Sequence, residues 1–284
     1  MVNPKLPLTE YLKVQSVTEA EIRQLMTDTS KEAGRMLRTA KGPRAAQIKL
    51  ARQQVGLWAT VGDLTKVGIG DATDAAALVQ SAFDEDLFRK LGINTRYWSM
   101  SMLAQARAGI DSYISRKENG ITLSQRVYRD SVLSSGSVER VLNTGLALGK
   151  SAREIAKDVE KFISPDVPGG PPAAAMRLAR TELNNAFHQT SKKQYIDNPF
   201  TVAVKWHLSG SHPRPDECNQ YADNSHYRGG EAGVFKPEEV PGKPHPNCLC
   251  YTTGVQEDEE AFLRGLNSGK YDKFMDKQGC GFSG

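Results

Sequence analysis

The residues best suited to chemistry lie in the last third of the chain. Three of the four cysteines occur between residues 218 and 250, and two of these belong to the run Pro244-His245-Pro246-Asn247-Cys248-Leu249-Cys250. Thiolate sulfur and imidazole nitrogen are the ligands that Zn²⁺ prefers in structural sites. The two-residue gap between His245 and Cys248 suits a chelating turn, which Pro246 would stiffen. The sequence therefore predicts a built site in this region.

Three interpretations of this group remain open. In the first, one structural zinc ion is held by four ligands: Cys218, His245, Cys248 and Cys250. Asp216 or His212 is a substitute for one of them. In the second, the cysteines are small buried thiols without a metal, because free cysteine is among the most buried residue types. In the third, Cys218 forms a disulfide with Cys248 or Cys250.

An Arg-Thr-Glu triplet lies upstream, at Arg180, Thr181 and Glu182, in a segment predicted to be helical. Arg180 and Glu182 are two residues apart and do not face each other on a helix, so each is expected to reach a different partner. We expect Arg180 to bind a carboxylate and to brace the loop after Trp206 through Asp216. Glu182 is expected to be a solvated or bracing residue rather than a catalytic one.

The elements that position these residues begin with a series of helices. Thr18 is a predicted N-cap, and the Gly42-Pro43 pair predicts a break before a second helix. That helix is expected to run to Gly68-Ile69-Gly70, after which Asp71 would cap a third helix and Asn94 a fourth. The first 120 residues are therefore expected to be helical.

Helices are also expected later in the chain. They begin near Leu123 and near Val138, and another follows the N-cap Ser151. Four prolines and two glycines make the stretch 164–172 a linker. Residues 173–195 then form a strong helix candidate that carries the Arg-Thr-Glu triplet.

Beyond Pro199 the hydrophobic period changes toward two. Residues 202–208 alternate as in a half-buried strand, and residues 248–255 have the composition of a returning strand. Residues 209–242 are expected to be irregular. The acidic run 257–260 fits a surface helix that precedes a mobile glycine-rich tail. The predicted fold is mainly α, with a long helical N-terminal region followed by a small C-terminal α+β module that contains a short β-sheet.

Composition sets the outer limits of this interpretation. The chain has 284 residues, of which 39% are hydrophobic and 25% charged, as expected of a soluble globular protein. No run of about 18 apolar residues and no apolar signal-peptide core is found, so neither a membrane span nor export is expected. The predicted division is a helical N-terminal region at 1–120, a helical connector at 121–163, a linker at 164–172, the α+β module at 173–255, and an acidic helix with a tail at 256–284.

A basic stretch lies within the predicted helical region. The net charge of the chain is +4, and seven cations lie close together against a single acid: Lys31, Arg35, Arg38, Lys41, Arg44, Lys49 and Arg52. Phosphate contacts require only cations and no reading of bases, so this stretch is expected to lie against a nucleic-acid backbone. A solvated helix face is the alternative.

The order of these motifs resembles the C-terminal domain of the phage Mu F-like head morphogenesis, or minor head, proteins. The matching residues are Arg180, Thr181, Glu182, Trp206, Asp216, Cys218, His245, Pro246, Asn247, Cys248 and Cys250. The resemblance covers roughly residues 120–255, and the upstream stretch 123–162 is similar to the helical region that precedes this domain in the family. Two positions depart from the family pattern: Tyr221 stands where members often have a second cysteine, and Leu249 where they often have an arginine.

The resemblance implies a structural, non-enzymatic virion component. Such proteins are encoded beside the portal protein and are present at low copy number near the portal vertex of the phage head. They are thought to assist head assembly, genome packaging or DNA ejection. The implied partners are the portal protein, the major capsid or scaffolding protein, and packaged DNA. The implied location is the virion, with the host cytoplasm during assembly.

A metal-dependent nuclease is the alternative function. In such enzymes a histidine activates water and an asparagine orients it, roles for which His245 and Asn247 are candidates. These nucleases also need a further catalytic His or Asp, and the sequence after Cys250 contains no histidine. The sequence therefore favours the structural interpretation.

Overall fold

The computed structural model describes residues 2–91, 95, 97–117, 120–165, 167–168, 170–212, 215–227 and 230–277. Within these residues the chain is mainly α-helical, with a small three-stranded antiparallel sheet near the C-terminus. The predicted fold class is therefore confirmed. The predicted cap Asn94 and the end of the tail, which includes Cys280, lie outside the described residues. In the described part of the chain, no helix is both long enough and apolar enough to cross a lipid bilayer.

The first two helices are α1 (Leu6–Thr39) and α2 (Pro43–Lys90). The predicted break between them is confirmed, since Gly42 has a φ of 108° that favours glycine and Pro43 takes the first helical position. The predicted start at Thr18 is wrong, because α1 begins at Leu6. Thr18 lies buried inside α1, and upstream of it the buried Tyr11 packs its ring against Phe187, with centroids 5.9 Å apart.

Helix α2 also corrects a prediction. The sequence indicated a break at Gly68-Ile69-Gly70 and a new helix capped by Asp71, but α2 continues through all four residues. A glycine inside a helix is less favourable than alanine by only about 1 kcal/mol. Ile69 and Ala72 are both completely buried, so their packing outweighs the weak local signal.

The next helices are α3 (Trp98–Arg107), α4 (Ile110–Ser115), α5 (Leu123–Ala147), α6 (Ala152–Ile163) and α7 (Pro171–Asp197). The start of α6 agrees with the sequence, since Ser151 forms the predicted capping box with Glu154. The separate helix expected near Val138 is wrong. Val138 and Leu142 lie on one buried face of α5, so the helix continues through them.

The C-terminal part consists of β1 (Thr201–His207), α8 (Glu217–Asp223), β2 (Val234–Phe235), β3 (Tyr251–Gln256), α9 (Glu259–Asn267) and α10 (Asp272–Lys277). The strand order is β2-β1-β3, and both pairs are antiparallel. The predicted strand at 202–208 is confirmed as β1, whereas the returning strand begins at Tyr251, three residues later than expected. Helix α8 and β2 fall inside the stretch 209–242 that was expected to be irregular.

The chain divides into two compact units that do not follow the order of the sequence. The first comprises Met1–Val14, Ile69–Asp111 and Thr181–Gly284, and the second comprises Gln15–Gly68 and Ser112–Arg180. The continuous domain division derived from the sequence therefore stays a prediction.

Four helical segments supply one hydrophobic cluster in the core of the second unit. Its buried residues are Ala33, Leu37, Ala46, Leu50, Val138, Leu142, Ile155, Ala156, Val159 and Ile163. Helices α5 and α6 approach closely at Gly145, where a β-carbon would lie 2.7 Å from Cγ1 of Ile155. Glycine is therefore needed at position 145 for this packing.

A buried carboxylate helps to position the sheet of the first unit. Asp84 of α2 accepts hydrogen bonds from four side chains: Gln80, Trp98, Asn198 and Gln256. Asn198 precedes β1 and Gln256 ends β3, so Asp84 ties the two long strands to α2. Burial raises the pKa of Asp84 to about 7, although the four donors act in the opposite direction.

Candidate metal centre

Cys218 is positioned by the start of α8. Asp216 is the N-cap of this helix, and its Oδ1 accepts the backbone N–H of Cys218 at 2.7 Å. The side chain of Asn219 completes the capping box by accepting the N–H of Asp216 at 3.1 Å. Asp216, predicted as a brace or a substitute ligand, therefore fixes the backbone that carries Cys218.

The turn before β3 positions His245 and Cys248. Asn247 has a φ of 57°, the left-handed conformation that asparagine tolerates better than most residues. This conformation reverses the chain between the two candidate ligands. The predicted chelating turn is thus present at His245-Pro246-Asn247-Cys248.

The candidate ligands from these segments meet in one group. Sγ of Cys218 lies 3.4 Å from Nε2 of His245 and 3.5 Å from Sγ of Cys248. Sγ of Cys250 lies 3.8 Å from Nδ1 of His212. Ligand atoms around a tetrahedral zinc ion are about 3.5 to 3.8 Å apart, given the usual bond lengths to sulfur and nitrogen. These spacings fit a zinc ion.

Two overlapping triads share Cys218. One consists of Cys218, His245 and Cys248, and the other of His212, Cys218 and Cys250, with the ligand atoms of each within 4.8 Å of one another. The predicted proximity of the three cysteines and His245 is confirmed, and the predicted substitute His212 lies beside them.

Both histidines have a second ring nitrogen that is already engaged. Nδ1 of His245 lies 3.0 Å from the carbonyl oxygen of Pro246, and Nε2 of His212 lies 2.9 Å from Oδ1 of Asn219. Nε2 of His245, which faces Sγ of Cys218, also lies 3.1 Å from Oδ2 of Asp216, so oxygen contacts do not select one tautomer of this ring. In each histidine, the ring nitrogen that faces a sulfur atom is the one that could bind a metal.

The surroundings change the pKa values of the three thiols in different directions. A hydrogen bond from Cys250 lowers the pKa of Cys248 to about 5, against the opposing effect of burial, and the ammonium of Lys243 adds to the lowering. Burial raises the pKa of Cys218 to about 12, and the hydrogen bond to Cys248 raises the pKa of Cys250. Of the three cysteines, Cys248 is therefore the one whose thiolate form the surroundings favour. A divalent cation would favour the thiolate form of all three.

The thiols are free and buried. The exposed fractions of Cys218, Cys248 and Cys250 are 0%, 1% and 2%. The distance of 3.5 Å between Sγ of Cys218 and Sγ of Cys248 is a contact, since a disulfide bond is about 2.05 Å long.

Lys243 is a site residue that sequence reasoning missed. Its ammonium donates to the carbonyl oxygen of Cys250 and lies 5.3 Å from the ring centroid of Trp206. Burial lowers the pKa of Lys243, while the neighbouring thiols raise it. The only signal for Lys243 in the sequence is its position two residues before His245.

Trp206 forms the apolar support of the centre. It is buried on β1, and its ring contacts those of Tyr221 and His188 edge to face, with centroids 5.2 and 5.7 Å apart. Tyr221 is thus a packing partner of Trp206. The predicted supporting role of Trp206 agrees with this packing.

Arg180 and Glu182 lie on α7. In the second unit, Arg180 forms a bidentate pair with Glu19 of α1, in which Nη2 lies 2.7 Å from Oε2. The carboxylate partner on α1 was not foreseen. Glu182 belongs to the first unit and is 1% exposed, so of its two expected roles the solvated one is wrong and the bracing one stays a prediction. The brace from Arg180 to Asp216 stays a prediction.

The seven cations of the predicted nucleic-acid stretch are all exposed: Lys31, Arg35, Arg38, Lys41, Arg44, Lys49 and Arg52. Two of them pair with carboxylates. Arg35 contacts Glu32 at 2.6 Å, and Arg38 contacts Glu160 of α6 at 3.6 Å. Their exposure agrees both with a contact to a nucleic-acid backbone and with a solvated helix face.

Comparison with protein-family models, with curated proteins and with solved structures finds no match to this chain.

Proposed function

We propose that this chain is a non-enzymatic minor head protein of the phage Mu F-like kind, in which one zinc ion clamps the C-terminal module. One observation carries the proposal: the residues of the resemblance that are most chemically distinctive converge on a single centre whose thiols are buried. These are Asp216, Cys218, His245, Cys248 and Cys250. The residues of the motif therefore lie together in space as well as following one another in a fixed order in the sequence.

The donor set favours a structural ion over a catalytic one. A catalytic zinc site has three protein ligands and an open position for water, whereas a structural site is closed by four. The two triads that share Cys218 contain three thiols and two imidazoles in all, so an ion that takes a fourth ligand from the second triad would be closed. All three thiols are buried, which further restricts access by water.

The clamp would reinforce the hydrophobic packing between segments that are distant in the chain. Cys218 begins α8, His245 and Cys248 belong to one turn, and Cys250 precedes β3. The sheet is small, since β2 contains only two residues. A bound zinc ion would supply a cross-link between these segments, and the module would present a rigid surface to other virion proteins.

In this proposal the protein sits at low copy number near the portal vertex. Its partners are the portal protein and the major capsid or scaffolding protein, and it assists head assembly, genome packaging or DNA ejection. The helices would provide docking surfaces and the C-terminal module a compact clamp. These roles follow from the resemblance, and the geometry of the centre supports them.

The test is to locate the protein in particles of the phage whose genome carries the gene. We expect quantitative mass spectrometry of purified particles to find the chain at a small fraction of the copy number of the major capsid protein. We also expect it to co-purify with the portal protein after the shell is dissociated. A chain that is abundant in the lysate but absent from purified particles would contradict the proposal.

One observation favours a metal-dependent nuclease as the second candidate. Nε2 of His245 lies 3.1 Å from Oδ2 of Asp216, and a histidine beside a carboxylate is a common means of activating water. Incubating the purified protein and its His245→Ala variant with plasmid DNA and a divalent metal separates the candidates. We expect no cleavage by either protein. Robust cleavage that the substitution abolishes would support the nuclease instead.

A further inference from the structure

A basic groove lies in the second unit, between α1 and α6. Its volume is about 720 Å³. Five cations and one carboxylate line it: Lys31, Arg38, Arg153, Lys157, Lys161 and Glu160. The groove thus carries a strong excess of positive charge.

Most of this charge is not neutralised within the protein. Glu160 is in contact with Arg38, at 3.6 Å. Within the described part of the chain, the other four cations have no ion-pair partner. Basic residues just outside the groove behave differently, since Lys150 pairs with Asp158 at 2.6 Å and Arg35 with Glu32 at 2.6 Å. The groove therefore concentrates unpaired cations.

Three of these cations form a row along α6. Arg153, Lys157 and Lys161 follow each other at intervals of four residues, so each step along the helix axis is about 6 Å. Like charges at this spacing destabilise a helix by a few tenths of a kcal/mol per pair. The opposite face of α6 is buried through Ile155 and Val159, which holds the row at the surface. An external polyanion would relieve this repulsion.

We infer that the groove between α1 and α6 binds the phosphate backbone of double-stranded DNA without reading its sequence. Cations on both walls suit a ligand with regularly repeated negative charge, and lysine and arginine are the usual phosphate contacts. Proteins that bind single strands add aromatic side chains on which bases stack. The described residues that line the groove include no aromatic side chain, so the groove fits a duplex backbone.

The groove differs from the stretch that the sequence indicated. Only Lys31 and Arg38 of the seven predicted residues line it, and α6 supplies the other three cations. The inference does not depend on the zinc-clamped module, which belongs to the first unit. Loss of DNA binding would therefore leave the zinc clamp untouched, and absence of zinc would leave the groove untouched.

The test uses the full-length protein and fluorescence anisotropy of a labelled duplex of about 24 base pairs at several salt concentrations. The groove variant is Arg153→Gln/Lys157→Gln/Lys161→Gln. A control of equal charge change is Lys193→Gln/Lys236→Gln/Lys273→Gln, which alters exposed lysines of the first unit. A third variant, Arg44→Gln/Lys49→Gln/Arg52→Gln, tests the stretch on α2. Circular dichroism verifies the helix content of each variant.

We expect the wild type and the control to bind alike and the groove variant to bind at least tenfold more weakly. The slope of log affinity against log salt should fall by about 2 to 3, as expected for three lost phosphate contacts. If the triple variant does not fold, the single Lys157→Gln variant should lower the slope by about 1.

Three results would overturn the inference. Equal losses in the groove variant and the control would show that net charge alone governs binding. A loss in the α2 variant as large as in the groove variant would show that DNA binding is not specific to the groove. A polyglutamate peptide of the same charge that competes as strongly as unlabelled duplex would indicate an acidic protein partner instead.

Discussion

The sulfur atoms of Cys218 and Cys248 lie 3.5 Å apart, although 30 residues separate them in the chain. Asp216 fixes the backbone of Cys218 at the start of α8. Asn247 has a left-handed backbone conformation, which shapes the turn that carries Cys248. The same centre brings Nε2 of His245 to 3.4 Å from the Cys218 sulfur. Two independent local structures thus deliver their ligands to one point.

Removal of metal should destabilise the protein. A ligand at a concentration 100 times its dissociation constant stabilises the folded state by about 2.7 kcal/mol. We therefore expect a strong chelator to lower the Tm of the C-terminal transition by about 5 °C or more, measured by differential scanning calorimetry. The double variant Cys218→Ser/Cys248→Ser is the control, and its Tm should not respond. An unchanged Tm in the wild type would argue against a bound structural ion.

The identity of the imidazole ligand can be tested with cobalt(II). His245 approaches Cys218 more closely than His212 approaches Cys250, at 3.4 against 3.8 Å. We expect His245→Ala to weaken cobalt binding by at least about tenfold, and His212→Ala to have a smaller effect. Titration followed by the thiolate-to-cobalt absorption bands measures both affinities. A larger loss in the His212 variant would reverse the assignment.

Asp84 should make stability depend on pH. Its folded-state pKa is about 7, above the ordinary value of 3.8, so between these values the folded state binds more protons than the unfolded state. The free energy of unfolding therefore falls as pH rises from about 4 to 7, by at most about 4 kcal/mol. His188 has the opposite effect, because burial lowers its pKa to about 3. It contributes stability that is lost as pH falls below about 6.5.

The Asp84→Asn variant isolates the contribution of Asp84. His188 is present in both proteins, so its effect cancels in the difference between their unfolding free energies. In urea denaturation experiments between pH 4 and 7, we expect the wild type to lose stability relative to the variant as the pH rises. A difference that stays constant over that range would show that Asp84 keeps one protonation state throughout.

Arg180 and Glu19 should be coupled weakly. Their side chains are 38% and 17% exposed, so solvent screening reduces the strength of the pair. A double-mutant cycle with Arg180→Gln and Glu19→Gln should give a coupling energy of about 1 kcal/mol or less. Arg180→Lys should recover only part of it, because lysine cannot form the bidentate contact. The more exposed pair of Arg35 and Glu32 serves as the reference. A coupling energy between Arg180 and Glu19 well above about 1 kcal/mol would contradict the prediction.

Local signals in the sequence predicted the parts of the structure that are themselves local. The capping box at Ser151, the break at Gly42-Pro43 and the chelating turn at His245 depend on neighbouring residues, and each is present. The cysteine cluster was also predictable, because sulfur ligands are rare and their spacing is informative. By contrast, α2 continues past Gly70, since burial of Ile69 depends on residues that are distant in sequence.

Contacts between distant segments were beyond the reach of the sequence. Asp84 lies in a helix that gives no sign of the donors Asn198 and Gln256, which are 114 and 172 residues away. The pairing of Arg180 with Glu19 spans 161 residues. The α6 wall of the basic groove is separated in the same way from Lys31 on α1. Hydrophobic period and motif spacing carry no information about such pairings.

Elemental analysis of the purified protein tests the central claim most directly. We predict about one zinc ion per chain in the wild type and in Cys280→Ser, and almost none in Cys218→Ser or Cys248→Ser. The Cys280 variant is the matched control, because it also removes one thiol. Two results together would contradict the account: wild-type protein that contains no zinc after expression in zinc-supplemented medium, and a stability of that protein that does not change when zinc is added.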